Sequence, residues 1–360
     1  RRRDVPWSVR APLGAVVCAA MGFFMYQISD PPDFEMFSDL QIAYYPAAQA
    51  VYAENPAKNL MATYKNGAEG FVNIPIMAYL CAPLMWVSKS TAEYGFLALG
   101  VLTIIATWYA LARLAKLNRD QSLLLLFLFA ACGPLAYSLR IANSTHFVLF
   151  LFVVGIWALR TDRAFLAGAI FGFAALIKLP LMLLGIYFLL RGRWRVAMGG
   201  LALCAFASLL SLAVFGWDLH WYWYEHTIKP VSAHPLPAYN NQSIQGFFTR
   251  LQYGNSWLLW WKPRPINPMV LLAAKMVVFC LVAAVTFVFA APQRWRRGPM
   301  TTMPGQMITE IEIWMITLLA IMIGTISWSH YYLLLLLPAA FLIAGNPEAL
   351  RTGWMKITGW

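Results

Sequence analysis

The sequence predicts an all-α, polytopic membrane protein of about ten or more transmembrane helices. Three observations carry this. The chain is 61% hydrophobic and only 12% charged over 360 residues, with a mean hydropathy of +0.61. Apolar runs of span length recur from one end to the other. The basic residues behind a formal net charge of +12 fall in short clusters between those runs. Such a composition excludes a large soluble domain. Basic clusters on alternating loops mark the cytoplasmic side of a membrane rather than a nucleic-acid surface.

Taken in order, Arg1, Arg2, Arg3 and Arg10 precede the first span, 11–28, so the N-terminus is expected inside. No Ala-x-Ala-type site follows, so no cleavable signal is expected. An outer loop, 29–93, comes next. It carries Asp33, Glu35 and Asp39 ahead of the Tyr44-Tyr45 pair. Its apolar part, 71–87, contains Pro75 and Pro83. Proline breaks helices, and irregular backbone survives in a bilayer only under cover of protein or water, so this stretch is expected to lie at or re-enter the outer interface. Spans at 94–114, 121–138, 144–160, 164–177, 181–190, 196–215, 269–291, 307–325 and 328–345 then alternate. Arg113, Lys116 and Arg119, then Arg160 and Arg163, then Arg191, Arg193 and Arg195 fall on inner loops. The shortest span, 181–190, must be tilted or packed as a half-helix around a cavity. The whole of 1–360 reads as one transmembrane domain with a second long outer loop at 216–268.

The five cysteines, Cys18, Cys81, Cys132, Cys204 and Cys280, are scattered singly in apolar segments, which argues against a disulfide framework or a zinc site. No Gly-rich phosphate loop is present, so a donor activated by a soluble nucleotide is not supported. Polar chemistry gathers instead on the outer side, with all five histidines, Arg140, Asn143 and Lys178. Ionisable groups at membrane depth face a cavity or a partner by default. Lys178, in Leu-Ile-Lys-Leu-Pro where one helix ends and another begins, is either a snorkelling lysine or a cation for a phosphate. His330 reads as an interfacial histidine or a site residue, and Arg140 as an aromatic-belt anchor beside Tyr137 or a site residue. The outer loop adds Trp221 to Glu225 and the polar run Tyr239 to Arg250 with Gln242. These aromatic residues are an interfacial belt, or they are ring faces for a sugar beside amides for its hydroxyls and guanidinium for a phosphate.

Read together, Asp39 with Tyr44, Tyr45, Ala47 and Ala48, the Phe71 and Pro75 segment leading to Ala82-Pro83-Leu84, Lys178-x-Pro180, Asn241-Gln242-Ser243 with Arg250, and Ser327-x-x-His330-Tyr331 resemble glycosyltransferase family 87. The resemblance implies a GT-C-type bundle with outer-face interfacial helices, and members that continue beyond Trp360. It implies transfer of a sugar from a polyprenyl-phosphate donor to a lipid or glycan hydroxyl on the extracytoplasmic face of the cell membrane, with inversion. Asp39 matches the catalytic carboxylate and His330 is a second catalytic position. Lys178, Arg250, Arg140, Asn143, Tyr44, Tyr45, Gln242 and Glu225 are the expected donor and substrate contacts. No cofactor or metal is expected, because cations can carry the charge of the leaving phosphate; Asp33 and Glu35 leave a divalent metal open. Membrane lipids are expected partners and nucleic acid is not.

A lipid-linked-sugar flippase or transporter is the rival class, and a non-catalytic lipid-binding scaffold another. A transporter would show inverted repeats and midplane charges, which this sequence lacks. A scaffold would not need Asp39. On the topology above, single-cysteine labelling at Ser88 and at Lys116 is expected to report opposite sides of the membrane. Labelling of both from one side would overturn it.

Overall fold

All the named elements are helices, as expected from the sequence. The computed structural model describes residues 7–29, 36–65, 70–254, 257–290 and 305–344. Asp33, Glu35, the first arginines and the cluster at 294–297 lie outside the described residues. Among those described there is no strand, only an isolated antiparallel bridge between Asn241 and Trp328. Three helices, Lys89–Leu114, Trp194–Ala233 and Pro268–Phe287, are long and apolar enough to cross a membrane. The pair Arg119–Ala130 and Gly133–Arg140, bent by 55°, makes a fourth if taken as one span. This is a membrane protein, but by length and composition the described residues offer three or four spans where the sequence predicts about ten. Several of the other predicted spans are shorter apolar helices, among them Thr145–Arg160, Ala164–Ile177 and Leu179–Leu190.

The helices that position the site are α1 (Trp7–Ser29), α2 (Tyr45–Tyr52), α3 (Pro56–Tyr64), α4 (Lys89–Leu114), α5 (Arg119–Ala130), α6 (Gly133–Arg140), α7 (Thr145–Arg160), α8 (Ala164–Ile177), α9 (Leu183–Leu190) and α10 (Trp194–Trp223). After them come α11 (Lys229–Ala233), α12 (Ile244–Tyr253), α13 (Pro268–Ala290), α14 (Gly305–Ile323) and α15 (Leu336–Ile343). The proline-containing stretch expected at the outer interface winds as a 3₁₀ helix, Pro75–Trp86, with Pro83 inside it. Gly216 takes φ 73° and breaks α10 where the predicted span ends. Only glycine adopts that conformation at little cost.

The core lies along α7 and α8. Val148, Leu149, Phe152, Val153 and Ile156 of α7 are fully buried, and the Phe152, Phe171 and Phe188 rings follow one another at 5.4 and 5.8 Å. α8 and α10 run parallel and meet backbone to backbone. A methyl group added at Gly168 would lie 1.8 Å from the Val196 carbonyl oxygen, and one at Gly199 2.0 Å from that of Phe165. Close approach of small residues is how helices associate where lipid supplies no hydrophobic drive.

The bundle has two polar ends. At one, Glu310 and Glu312 near the start of α14 are buried. Glu310 takes a two-pronged contact from Arg160 at 2.6 and 2.8 Å. Glu312 accepts from Arg191 Nε at 2.9 Å and from the Tyr187 hydroxyl at 2.7 Å. At about 1.5 Å per residue, α7 puts its start some 24 Å away from Arg160, at the end that holds Asp39.

Gly168→Ala is expected to lower the thermal unfolding midpoint of the solubilised protein by roughly 1–4 °C, from about 1–3 kcal/mol of overpacking. Gly185→Ala, where nothing lies within 4 Å of the added methyl, is expected to leave it unchanged or raise it. Equal midpoints for the two variants would contradict the backbone seam.

Candidate active site

The site begins with a helix ending. α6 closes in a hydrogen-bond pattern in which the Asn143 amide donates to the Ser138 carbonyl at 2.8 Å and the Ala142 amide to that of Leu139 at 3.0 Å. Ala142 occupies the left-handed position, φ 55°, that glycine usually takes in this motif. Opposite it, Phe37 is also left-handed, φ 66°. Two backbone bonds zip the segments together: the Phe37 amide donates to the Arg140 carbonyl at 2.8 Å, and the Asp39 amide to that of Ile141 at 2.9 Å. Non-glycine residues in this conformation cost on the order of 1–3 kcal/mol each and cluster at functional sites. Their product here is a fixed place for the Asp39 carboxylate, directly ahead of a π-helical turn, Leu40–Tyr44.

Asn143, 5% exposed, joins the charged groups. Its Nδ2 donates to Asp39 Oδ2 at 2.5 Å. Its Oδ1 accepts from Lys178 Nζ at 3.1 Å, from the Thr145 amide at 3.0 Å and from Thr145 Oγ1 at 2.6 Å. The carboxylate and the ammonium therefore do not pair directly; an amide relays between them. Burial raises the Asp39 carboxyl above its ordinary range, against the opposing Asn143 hydrogen bond and the Lys178 charge. Burial likewise pushes Lys178 down to about 8, against the Asp39 charge. The ammonium also stands over the Tyr331 ring, 4.8 Å from its centroid, where the ring quadrupole favours a cation.

Around this core, the Tyr44 hydroxyl donates to Ser144 Oγ at 2.9 Å and its ring stacks on Phe96. Tyr45 packs its body against the small cluster of Phe37, Leu40 and Ala142. His330 is 3% exposed and neither ring nitrogen has a partner. It lies near Lys178 and His146, and its ring rests 6.0 Å from that of Tyr137. Buried unpaired nitrogens are costly, so a ring left this way is suited to a substrate group. His146, at the start of α7, holds Ser138 Oγ at 3.1 Å through Nδ1, and its Nε2 is likewise without a partner.

The structure thus gathers Asp39, Asn143, Lys178, Tyr44, Tyr45 and His330. Arg140 supports them through its carbonyl, while its side chain acts toward Tyr137 and Tyr239. Arg250 and Gln242 stand one layer out. Arg250 Nη1 donates to the Ala238 and Asn241 carbonyls at 3.0 and 2.6 Å, and Gln242 Nε2 to that of Tyr239 at 2.7 Å. This run holds the segment that carries His330: the Gln242 amide donates to the Ser327 carbonyl at 2.5 Å, and the Ser329 amide to that of Asn240 at 2.8 Å. Glu225 is spent on Lys229 one helical turn away, at 2.7 and 3.0 Å. The sequence reading passed over Thr145, Ser144 and Ser138. The triplet Asn143-Ser144-Thr145 ahead of an apolar run is a helix-start signal that could have found them. Among the described residues no three His, Cys, Asp or Glu side chains converge to hold a metal.

Residues 71–308, more than half of the chain, match the model of glycosyltransferase family 87. The chain belongs to that family. It is also 23% identical over 291 residues to a polyprenol-phosphate-mannose-dependent alpha-(1-2)-phosphatidylinositol mannoside mannosyltransferase of Mycobacterium tuberculosis, across 76% of this chain and 61% of that relative. The chain therefore spans about three-fifths of the relative's length. Asn143, Lys178 and Arg250 fall inside the family match, whereas Asp39 and His330 lie outside it.

Asn143→Ala removes the acceptor of three donors and the donor to Asp39. Leaving such groups unpaired costs about 1–3 kcal/mol, so the variant is expected to unfold roughly 1–4 °C lower. Asn143→Ala with an unchanged midpoint would show that the relay is not formed.

Proposed function

We propose that this family 87 protein is a membrane glycosyltransferase that moves a sugar, mannose or another hexose or pentose, from a polyprenyl-phosphate donor to a hydroxyl of a lipid or glycan acceptor. The reaction proceeds on the extracytoplasmic face of the cell membrane with inversion at the anomeric carbon. The observation that supports this best is the Asp39–Asn143–Lys178 relay: one proton acceptor and one cation, held apart by a neutral amide at the same end of the bundle. The family and the relative's mannosyltransferase name support the same class of reaction.

In this reading the acceptor hydroxyl gives its proton to Asp39 as its oxygen bonds to the anomeric carbon. The bond from that carbon to the phosphate oxygen breaks at the same time, and the polyprenyl phosphate leaves with the electron pair. A base within hydrogen-bonding reach contributes about 10²–10⁴ in rate. Lys178 meets the charge that grows on the leaving phosphate, and in this half-dry site a fixed cation is worth more than in water. If the two groups paired directly, each would satisfy the other; the Asn143 amide keeps both oriented while leaving each able to take a substrate atom. His330 offers its unpartnered nitrogens to the sugar or the phosphate. Arg250 and Gln242 act by holding the His330 segment.

Asp39→Asn is expected to fold and bind donor but to turn over about 10²–10⁴-fold more slowly. The wild-type rate should rise with pH as Asp39 loses its proton, above the ordinary 3.8, and fall as Lys178 loses its own near 8. Lys178→Arg should carry the alkaline limb beyond pH 10. Steady-state transfer with a synthetic polyprenyl-phosphate sugar checks both. An Asp39→Asn variant with full activity would remove the base assignment.

A further inference from the structure

Lys178 leaves α8 in an extended conformation, φ −131° and ψ 92°, and the turn that follows strips the helix end of its partners. In a continuing helix the Leu176 carbonyl would accept from Pro180 and the Ile177 carbonyl from Leu181. Pro180 has no amide hydrogen to give. The Leu181 amide turns to the Lys178 carbonyl instead, at 3.0 Å. Both orphaned carbonyls are taken by one side chain: Asn73 Nδ2 donates to that of Leu176 at 2.8 Å and to that of Ile177 at 3.0 Å. The stretch that carries Asn73 is itself held from two sides. The hydroxyl of the buried Tyr64 donates to the Asn73 carbonyl at 2.9 Å. Trp223 Nε1 donates to the Val72 carbonyl at 3.0 Å, and the Ile76 amide to Ser211 Oγ at 3.1 Å, where His220 Nε2 also bonds at 2.8 Å. Asn73 is thus anchored to α3 and α10, and it lends that anchoring to the end of α8.

A cap of this kind stabilises a helix whatever lies beside it. Here the neighbour is what gives it a bearing on chemistry. A lysine at the end of a helix can fold back and donate to the last carbonyls, which carry the partial negative charge of the helix end. Lys178 is such a lysine, and the last carbonyls of its helix are those of Leu176 and Ile177. With both already accepting from Asn73, the ammonium extends the other way, to Asn143 Oδ1 at 3.1 Å and over the Tyr331 ring at 4.8 Å. We propose that Asn73 is a positioning residue: by occupying these two carbonyls it frees the Lys178 ammonium for the phosphate of the polyprenyl donor. The inference rests on the role given to Lys178 in the proposed reaction. Asn73 acts through that cation and not on the substrate.

A double-mutant cycle on the solubilised full chain separates positioning from mere stability. The probe is a synthetic short-chain polyprenyl phosphate, the leaving group common to every donor of the proposed class, and the readout is its Kd by titration calorimetry. Asn73→Ala is expected to weaken binding roughly 5- to 50-fold when Lys178 is present, and to change the weaker Kd of Lys178→Ala by less than about 2-fold, because the cation it acts through is gone. Its thermal unfolding midpoint is expected to fall by about 1–4 °C in both backgrounds, as it would for any lost cap. Should Asn73→Ala not fold, Tyr64→Phe, which loosens the Asn73 backbone and keeps the ring, is expected to give the same pattern at roughly 2- to 5-fold. Weakening by the same factor in both backgrounds, or no weakening in either, would overturn the inference while leaving the role of Lys178 standing. Wild-type protein that does not bind the probe, or Lys178→Ala that binds it as tightly as the wild type does, would overturn the role of Lys178 and the inference with it.

Discussion

The Asn143 amide is the contact on which the candidate site depends. Its amide nitrogen donates to Asp39, and its oxygen accepts from Lys178 and Thr145. Those partners come from the segment ahead of α2, the end of α8 and the start of α7. Each of these segments would be free to choose another position for its polar group; a shared amide removes that freedom. Buried polar groups are costly when unpaired and orienting when all are paired, so a single neutral side chain sets the spacing of two charges. The left-handed residues Phe37 and Ala142 are strained so that the amide can reach.

Much of this was legible in the sequence. Composition and the rhythm of apolar runs gave the helical class and several helix boundaries, among them the break of α10 at Gly216, but not the bend between α5 and α6 inside the predicted span 121–138 nor the short helices α2, α3 and α12. The prolines at 75 and 83 foretold a stretch that does not wind as an α-helix. The Lys-Leu-Pro break and the acidic outer loop pointed to Lys178 and Asp39. The partners of those charges were not legible. That Asn143 stands between Asp39 and Lys178 is a tertiary fact, set by residues more than thirty and a hundred positions apart. Arg250 shows the opposite limit: an arginine after an amide run fits a phosphate site, yet its guanidinium serves backbone carbonyls. Charge type can be read from a sequence, whereas what satisfies the charge cannot.

The two ends of the bundle solve the problem of buried charge differently. Glu310 and Glu312 are matched directly with Arg160 and Arg191, which ties α14 to α7 and α9. Paired charges of this kind hold helices in register and do little chemistry, since each is already satisfied. At the Asp39 end the charges are kept apart and the histidine nitrogens are left open. Separation, which lowers stability, is what leaves groups available to a substrate.

The seam between α8 and α10 bears on how such a protein can diversify. With a glycine facing a carbonyl oxygen at both Gly168 and Gly199, neither helix can slide or rotate against the other without collision. Lys178, at the end of α8, is therefore mounted on a stiff two-helix beam, and its depth is inherited from that beam. New specificities cannot arise by shifting the cation. They must come from the loops that approach it, so that, on the reaction proposed above, the cation keeps its place while the surfaces around it change.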